Sequence, residues 1–266
     1  MPLAIERLAR VNRARWIGLK TLVSRECGVI VQFWGVTLAP PAITTVLYFT
    51  ILGEIIGKRI GLLDGVGYLQ YLAPGLIVLW VIPYSYGHTA AGFVGAQYFR
   101  FIEELLVSPL PNWVVVLGYV AGGMIRGVLV GAVAAVSALF FAHVHVYSVF
   151  LSTTVLLLAA LVSALGGFIT AMFAKSFEQV NAIQDFILTP LMYVGGVFNS
   201  LAMLPDWAQK LSLVNPLFYV VNGFRYGVLG VSDVPVGAAL SIMSGFAIAL
   251  FLVALKLMAH GSGARD

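Results

Sequence analysis

Charge and cysteine are both scarce in this sequence. Only 10% of its 266 residues are charged, whereas roughly a quarter of the residues in a soluble domain carry a charge. Hydrophobic residues make up 61% of the chain and the mean hydropathy is +0.98, so a water-soluble fold is excluded. The single cysteine, Cys27, cannot form an intrachain disulfide or a cysteine-based zinc cluster.

The chain also lacks a linker rich in serine or proline, so we expect one membrane domain. Its net charge of +4 could suggest a nucleic-acid partner, but the basic residues concentrate before the first apolar segment, as the positive-inside rule expects. We therefore predict no nucleic-acid partner. The basic residues of this segment are Arg7, Arg10, Arg13, Arg15, Lys20 and Arg25.

The basic N-terminal segment lacks the apolar core and the cleavage site of a signal peptide before Glu26, so we expect no part of it to be removed. Its apolar residues recur at helical spacing on one face, which favours an amphipathic helix over residues 1–28 lying in the headgroup region. The alternative is a frayed basic tail. The apolar residues are Ile5, Leu8, Trp16, Leu19 and Val23.

Six apolar stretches are long enough, or nearly so, to cross about 30 Å of hydrocarbon at 1.5 Å per residue. They cover Phe33–Ile56, Tyr71–Ala96, Trp113–Ala142, Val149–Ala174, Ile183–Phe198 and Val236–Met258. Basic residues between them place both termini of this multi-pass protein on the cytoplasmic side of the membrane. Ser176 and Gln179 fit a capping box before the fifth span, and Pro190 predicts a kink in it.

The break between the second and third spans is amphipathic. Arg100 and Glu104 stand four residues apart, which favours about two helical turns. Ser108, Pro109 and Pro111 then stop the helix. We predict a short cytoplasmic helix over residues 99–107.

The stretch between the fifth and sixth spans contains two helix starts, Leu204-Pro205 and Asn215-Pro216, with proline at the first helical position and Asn215 as an N-cap. Each helix that follows has about a dozen residues and reaches only ~18 Å, which is less than the membrane thickness. We therefore predict a re-entrant helical hairpin over residues 204–229, entered from the outer face. Such a hairpin needs protein or water around its turn.

Residues for catalysis or metal binding are few. His143 and His145 could share one side of an outer turn, but no carboxylate or cysteine lies near them in sequence to complete a zinc site. The glycine-rich stretch from Gly53 to Arg59 has the wrong spacing for a phosphate loop. We expect no enzyme activity, no metal and no cofactor in this chain.

Arg126 is the one basic residue deep inside a predicted span, where a charge costs at least about 2.5–3.5 kcal/mol. It should face protein or water, either as a contact for an anionic substrate or as a structural bond to helix carbonyls. Small residues on the same span, among them Gly123 and Gly127, predict close helix packing. Aromatic residues such as Trp80 and Tyr84 either anchor the spans or line a path.

Three motifs occur in a characteristic order. They are F-I-E-E-L-L-V-S-P-L-P after the second span, L-T-P-L-M-Y-V-G-G-V-F-N-S-L-A-M-L-P-D-W from Leu188, and V-N-P-L-F-Y-V-V-N-G-F-R-Y-G from Val214. From about Arg13 to Arg265 the chain resembles the ABC transmembrane type-2 permease family, most closely its bacterial YadH-type inner-membrane permeases. That family exports polysaccharides, glycolipids, nodulation factors and drugs.

The resemblance implies an all-α membrane protein, with an amphipathic N-terminal helix (residues 1–28) and a six-helix domain (residues 29–266). It further implies a homodimer served by two copies of a separate ABC ATPase, which would hold ATP and magnesium. The family's coupling helix maps onto residues 99–107, and the residues expected to dock the ATPase are Arg100, Phe101, Glu103, Glu104, Leu105 and Leu106. Its outer hairpin maps onto residues 204–229, with gate residues Pro205, Trp207, Asn215, Pro216, Tyr219 and Arg225.

We therefore expect a permease subunit that moves a glycan, lipid-like or amphipathic substrate out of the cytoplasm by alternating access. The alternative is a stand-alone secondary transporter or channel. Such proteins usually show internal repeats or intramembrane carboxylates. No repeat is evident, and Glu54 lies near a span end.

Overall fold

The structure is a computed structural model that describes residues 2–53, 62–63, 65–102, 107, 110–142 and 146–260, with the backbone alone for residues 2–11 and 62–63. Helices dominate the described chain. They are α1 (Pro2–Gln32), α2 (Trp34–Leu52), α3 (Tyr68–Tyr98), α4 (Asn112–Leu139), α5 (Val149–Phe173), α6 (Phe177–Ile183), α7 (Thr189–Val194), α8 (Asp206–Val214), α9 (Pro216–Leu229) and α10 (Val236–His260). Two short strands, β1 (Leu62–Leu63) and β2 (Val66–Gly67), pair antiparallel before α3.

Among the described residues, five helices are long and apolar enough to cross a membrane: α2, α3, α4, α5 and α10. An integral membrane protein is thus confirmed in outline, and six spans stay a prediction. The predicted fifth span, 183–198, is divided into the end of α6, a π-helical turn (Gln184–Leu188) and α7, followed by non-helical residues. None of these pieces alone reaches across a bilayer.

The π-helical turn ends two residues before Pro190, the residue at which we predicted a kink. Proline has no backbone N–H to continue the helical ladder. The carbonyl oxygen of Gln184 accepts from both the backbone N–H of Thr189 and its hydroxyl, the latter at 3.1 Å. One bond of the predicted capping box is present, since Ser176 Oγ accepts from the backbone N–H of Gln179 at 3.4 Å. The Gln179 side chain accepts from the N–H of Lys175 at 2.7 Å rather than from that of Ser176.

Helix α3 occupies the centre of the bundle and packs most extensively on α4 and α5, with α9 covering part of it. It is antiparallel to α4, since Gly123 and Gly127 of α4 face Thr89 and Ser85 of α3, respectively. We call the end of the bundle where α3 ends and α4 begins the basic end. The opposite end, which carries α8 and α9, is the hairpin end.

Helix α1 packs lengthwise on α4, and it ends at Gln32, four residues beyond the predicted boundary at residue 28. Leu22 faces Gly118 and Glu26 faces Gly122, so the two helices run parallel from the basic end. Leu22 and Glu26 are buried, whereas Trp16 is exposed. The C-terminal half of the amphipathic helix therefore belongs to the protein core.

Candidate functional site

The predicted coupling segment is described only in part, because Glu103, Glu104, Leu105 and Leu106 lie outside the described residues. Arg100 adopts a left-handed backbone conformation, with φ of 60°, just after α3 ends. This conformation is uncommon for a residue with a side chain and turns the chain sharply. Phe101 is exposed beyond the turn. The described part thus presents a polar and aromatic surface at the basic end.

The hairpin contains the two short helices α8 and α9, as the prolines indicated. Asn215 caps α9, since its Oδ1 accepts from the N–H of Leu217 at 3.0 Å, and Pro216 is the first helical residue. Pro205 is the N-cap of α8 rather than its first helical residue. Helix α9 ends at Gly230, whose φ of 76° is the left-handed conformation typical of a helix stop.

Two side chains of this hairpin bond to neighbouring backbone. Asn215 Nδ2 donates to the carbonyl of Leu191 at 2.6 Å, which ties the junction of α8 and α9 to α7. The hydroxyl of Tyr219 donates to the carbonyl of Leu213 at 2.7 Å. Trp207, by contrast, is exposed, so it is free to meet a partner or lipid.

Arg225 is the most deeply buried charge of the hairpin, with 1% of its surface exposed. Its Nη2 donates to the carbonyl of Gly196 at 2.6 Å, and its guanidinium lies 3.9 Å from the centre of the Tyr71 ring. Asp233 supplies a carboxylate oxygen 3.8 Å from Nη1. Arg225 therefore joins α9 to α3 and to the segments on both sides of the hairpin.

Arg126 on α4 meets protein, as its burial cost predicted. Its Nη2 donates to Thr37 Oγ1 at 3.0 Å, and its Nη1 lies 3.2 Å from His88 Nδ1. Its guanidinium also lies 5.6 Å from the centre of the Tyr84 ring. The partners are side chains of α2 and α3, so Arg126 links three helices without using helix carbonyls.

The chain of polar contacts continues through His88. A guanidinium can only donate, so the His88 Nδ1 that faces Arg126 accepts, and the imidazole proton sits on Nε2. That Nε2 lies 3.1 Å from Glu26 Oε2. The other oxygen of Glu26 accepts from Arg25 Nη2 at 2.7 Å, and this nitrogen also donates to Tyr119 at 3.0 Å.

Glu26 lies on α1, outside the five candidate spans. Burial raises the pKa of its carboxyl, but the hydrogen bonds from His88 and Arg25 outweigh burial, and the pKa lies below its ordinary value. The carboxylate is therefore ionised at neutral pH and holds His88 and Arg25 on opposite sides.

A cavity of about 280 Å³ opens beside this cluster. It lies between α3, α4 and the π-helical turn. It is lined by Pro83, Tyr84, Gly87, His88, Arg126 and Gln184. The cavity brings a cation, an imidazole, a phenol and an amide together, which suits the binding of a polar group.

Sequence reasoning singled out Arg126 but missed its network. Glu26 is the second acidic residue of a strongly basic segment, and it stands four residues from Leu22 and Ile30, which are both buried. That spacing was the available signal that Glu26 faces the bundle. His143 and His145 lie outside the described residues, and no group of three metal-binding side chains occurs among the residues described.

Comparison with known proteins places this geometry in a family. The sequence profile of the ABC-2 type transporter family matches residues 18–229. The chain is 43% identical to the inner membrane transport permease YadH of Escherichia coli K12 over 252 residues, which cover 94% of this chain and 98% of that permease. It is 24% identical to nodulation protein J of Rhizobium leguminosarum bv. viciae over 214 residues, 80% of this chain and 83% of that protein. Nodulation protein J of Rhizobium meliloti strain 1021 is 25% identical over 213 residues, 80% and 81% of the two chains.

The near full-length match to an inner membrane permease and the five long apolar helices together identify an integral protein of the inner membrane. The profile match includes the described part of the coupling segment, the cluster around Arg126 and the hairpin. The chain therefore belongs to the ABC-2 type transporter family and has the role of a transport permease.

Proposed function

We propose that this chain is the membrane-spanning subunit of an exporter powered by ATP hydrolysis on a separate subunit. Its substrate is a glycan, a lipid-like molecule or another amphipathic molecule that leaves the cytoplasm. The observation that carries the proposal is the family match over residues 18–229, which spans both the coupling segment and the hairpin. The names of two relatives, a transport permease and a nodulation protein, fit this class.

The proposed mechanism is alternating access in a homodimer with two ATPase subunits. Closure of the ATPases on ATP moves the coupling segment at the basic end, which faces the cytoplasm, and the spans then expose the path to the outside. ATP biases the permease only through contacts that differ between the two states. The exposed apolar face of α2, with Trp34, Ile43 and Leu47, offers a surface for the second subunit or for lipid.

The coupling proposal predicts the effect of reversing two charges. We expect Glu103→Lys with Glu104→Lys to lower ATPase copurification and stimulated hydrolysis by about tenfold or more, because like charges at a docking surface cost several kcal/mol. The ATPase used is the subunit that copurifies with the wild-type chain. Asp206→Lys, a reversal at an exposed residue of the hairpin end, is the control and should leave both quantities unchanged. Wild-type values in the double variant would refute the docking surface.

A secondary transporter is the alternative, and the buried pair of Glu26 and His88 is the observation that favours it, since such pairs carry protons in many transporters. Arg25 already pairs with this carboxylate at 2.7 Å, which opposes its protonation. Transport that persists after deletion of the copurifying ATPase would establish the alternative.

Asn215 allows the hairpin to be tested separately from the coupling segment. Asn215→Leu removes the cap of α9 and the bond to Leu191, and we expect the free energy of unfolding to fall by about 1–3 kcal/mol. Transport should fall while ATPase copurification persists, because the basic end is unchanged. The matched variant Asn215→Ser keeps a cap acceptor and loses the amide donor, so its thermal midpoint should lie between those of the wild type and Asn215→Leu. Loss of ATPase binding with normal transport in Asn215→Leu would contradict the gate role.

A further inference from the structure

We propose that the cavity beside Arg126 binds the anionic group, a phosphate or a carboxylate, of an amphipathic molecule. This inference rests on the proposed function, because it assigns a chemical class to the substrate of the same permease. Unlike the proposed function, the anion site can be tested on the purified chain, without the ATPase and without a transport assay. The carrying observation is an arginine that lines a cavity of about 280 Å³ and has no carboxylate partner among the described residues.

The positive charges of the cluster around Arg126 outnumber its negative charges. Arg25 and Arg126 contribute two positive charges, and Glu26 contributes one negative charge. His88 is neutral in the tautomer that accepts from Arg126. Both oxygens of Glu26 are occupied, one by Arg25 and one by His88. The cluster thus keeps one net positive charge, on the side that faces the cavity.

Arg126 has a hydrogen-bond donor that no described residue accepts. Its Nη1 and Nη2 meet His88 and Thr37, but Nε is buried and has no hydrogen-bond partner among the described residues. A buried donor without a partner costs free energy, and an oxyanion would satisfy it with a charge-assisted bond. Arginine suits phosphate and carboxylate because its planar fork matches their oxygens.

The cavity has room for a phosphate or a carboxylate group. The cavity is also lined by Gln184, in the π-helical turn. A Cβ at Gly87 would lie 3.1 Å from Gln184 Oε1, so a larger residue at this position would crowd the lining of the cavity. The amide of Gln184 and the hydroxyl of Tyr84 add polar groups to a site that accepts a single headgroup.

Apolar side chains next to the site favour an amphipathic ligand. Thr37, which holds Arg126, is next in sequence to the exposed Val36 on α2. Gln184 is followed after one residue by the exposed pair Phe186 and Ile187. The α2 segment that holds Arg126 and the π-helical segment that lines the cavity thus both carry exposed apolar side chains, which suits an apolar tail and disfavours a free inorganic ion.

The test measures binding to the purified chain in dodecyl maltoside, with dodecyl phosphate as the probe and dodecyl phosphocholine as the zwitterionic comparison, by isothermal titration calorimetry. We expect Arg126→Gln to weaken dodecyl phosphate binding by about tenfold or more, because a hydrogen bond to a charged group is lost. Arg126→Lys should retain part of the affinity. Lys210→Gln removes an exposed charge outside the cavity and is expected to leave the affinity for dodecyl phosphate unchanged.

A second variant keeps the proposal testable if Arg126→Gln does not fold. Gln184→Glu adds a carboxylate to the lining of the cavity that Arg126 shares, and it should weaken dodecyl phosphate binding about as much. Equal affinity in the wild type, Arg126→Gln and Gln184→Glu, or equal binding of dodecyl phosphocholine, would overturn the site. Dodecyl phosphate binding by a wild-type chain that copurifies with no ATPase would contradict the proposed function alone.

Competition then identifies the source of the anionic group. Phosphatidylglycerol that displaces dodecyl phosphate indicates the headgroup of a bilayer lipid. Displacement by dodecanoate, but not by phosphatidylglycerol, indicates a single-chain carboxylate or phosphate as the cargo. Displacement by millimolar inorganic phosphate alone would show that no tail is needed, and it would overturn the amphipathic part of the proposal.

Discussion

Arg225→Met is expected to lower the free energy of unfolding of the permease by about 3–5 kcal/mol, the cost of removing one member of a buried charged pair. The change leaves the carbonyl of Gly196 without the donor 2.6 Å away and leaves Asp233 without its cation. It also removes the charge stacked on the Tyr71 ring. Methionine has a similar length, so the loss measures the polar contacts more than the volume. The thermal midpoint in detergent reports the effect.

Two further variants separate the causes of that loss. Arg225→Lys keeps the charge near Asp233 but cannot reproduce the planar fork that reaches Gly196 while lying over Tyr71, so it should lie between the wild type and Arg225→Met. Arg13→Met removes an exposed charge and should be neutral. A midpoint for Arg225→Met within error of Arg13→Met would mean that the hairpin is not anchored by Arg225.

The hairpin shows which features were visible in the sequence. Asn215-Pro216 encodes its own helix start, because a cap and a fixed φ are local properties, and both appear in the structure. The anchoring of Arg225 is not local. Its acceptor is the carbonyl of Gly196, a residue in a left-handed turn with φ of 79°. Every residue type has a backbone carbonyl, so the sequence does not show which carbonyl accepts the hydrogen bond from Arg225.

The apolar spans followed hydropathy closely, since α3, α4, α5 and α10 begin within about three residues of the predicted starts. The fifth stretch differs because composition does not record local geometry. Its residues are apolar enough, yet the π-helical turn before Pro190 and the break after Val194 divide it. The prediction of a membrane span from the length of a stretch assumes a constant rise per residue, and the rise is not constant through an irregular turn.

Only part of the cluster around Arg126 could be predicted from the sequence. Burial cost alone required a partner for Arg126, and the structure supplies Thr37 and His88. Glu26 was hidden because it stands in a basic segment that reads as a surface helix. The packing of α1 on α4 shows that the face carrying Leu22 and Glu26 is part of the core, as the spacing of Glu26 from Leu22 and Ile30 could have indicated.

Gly167→Ala is expected to destabilise the bundle by about 1–3 kcal/mol or more, because it overpacks the contact between α5 and α3. A Cβ at Gly167 would lie 2.3 Å from the carbonyl oxygen of Tyr86. That atom belongs to the backbone and cannot rotate away, so the helices themselves must separate. The close packing predicted from the small residues of α4 follows the same rule, since a Cβ at Gly123 would lie 2.6 Å from the carbonyl oxygen of Ser85.

The matched control is Gly245→Ala in α10, a span in which a Cβ at this position meets nothing within 4 Å. Here the substitution only improves helix propensity, by up to about 1 kcal/mol, so the thermal midpoint should stay or rise. The thermal midpoint should therefore fall in Gly167→Ala, whereas it should stay the same or rise in Gly245→Ala. Equal effects of Gly167→Ala and Gly245→Ala would show that α3 and α5 are not held at this distance. A fall confined to Gly167→Ala would instead show that α3 and α5 are held in close contact at this position in the core.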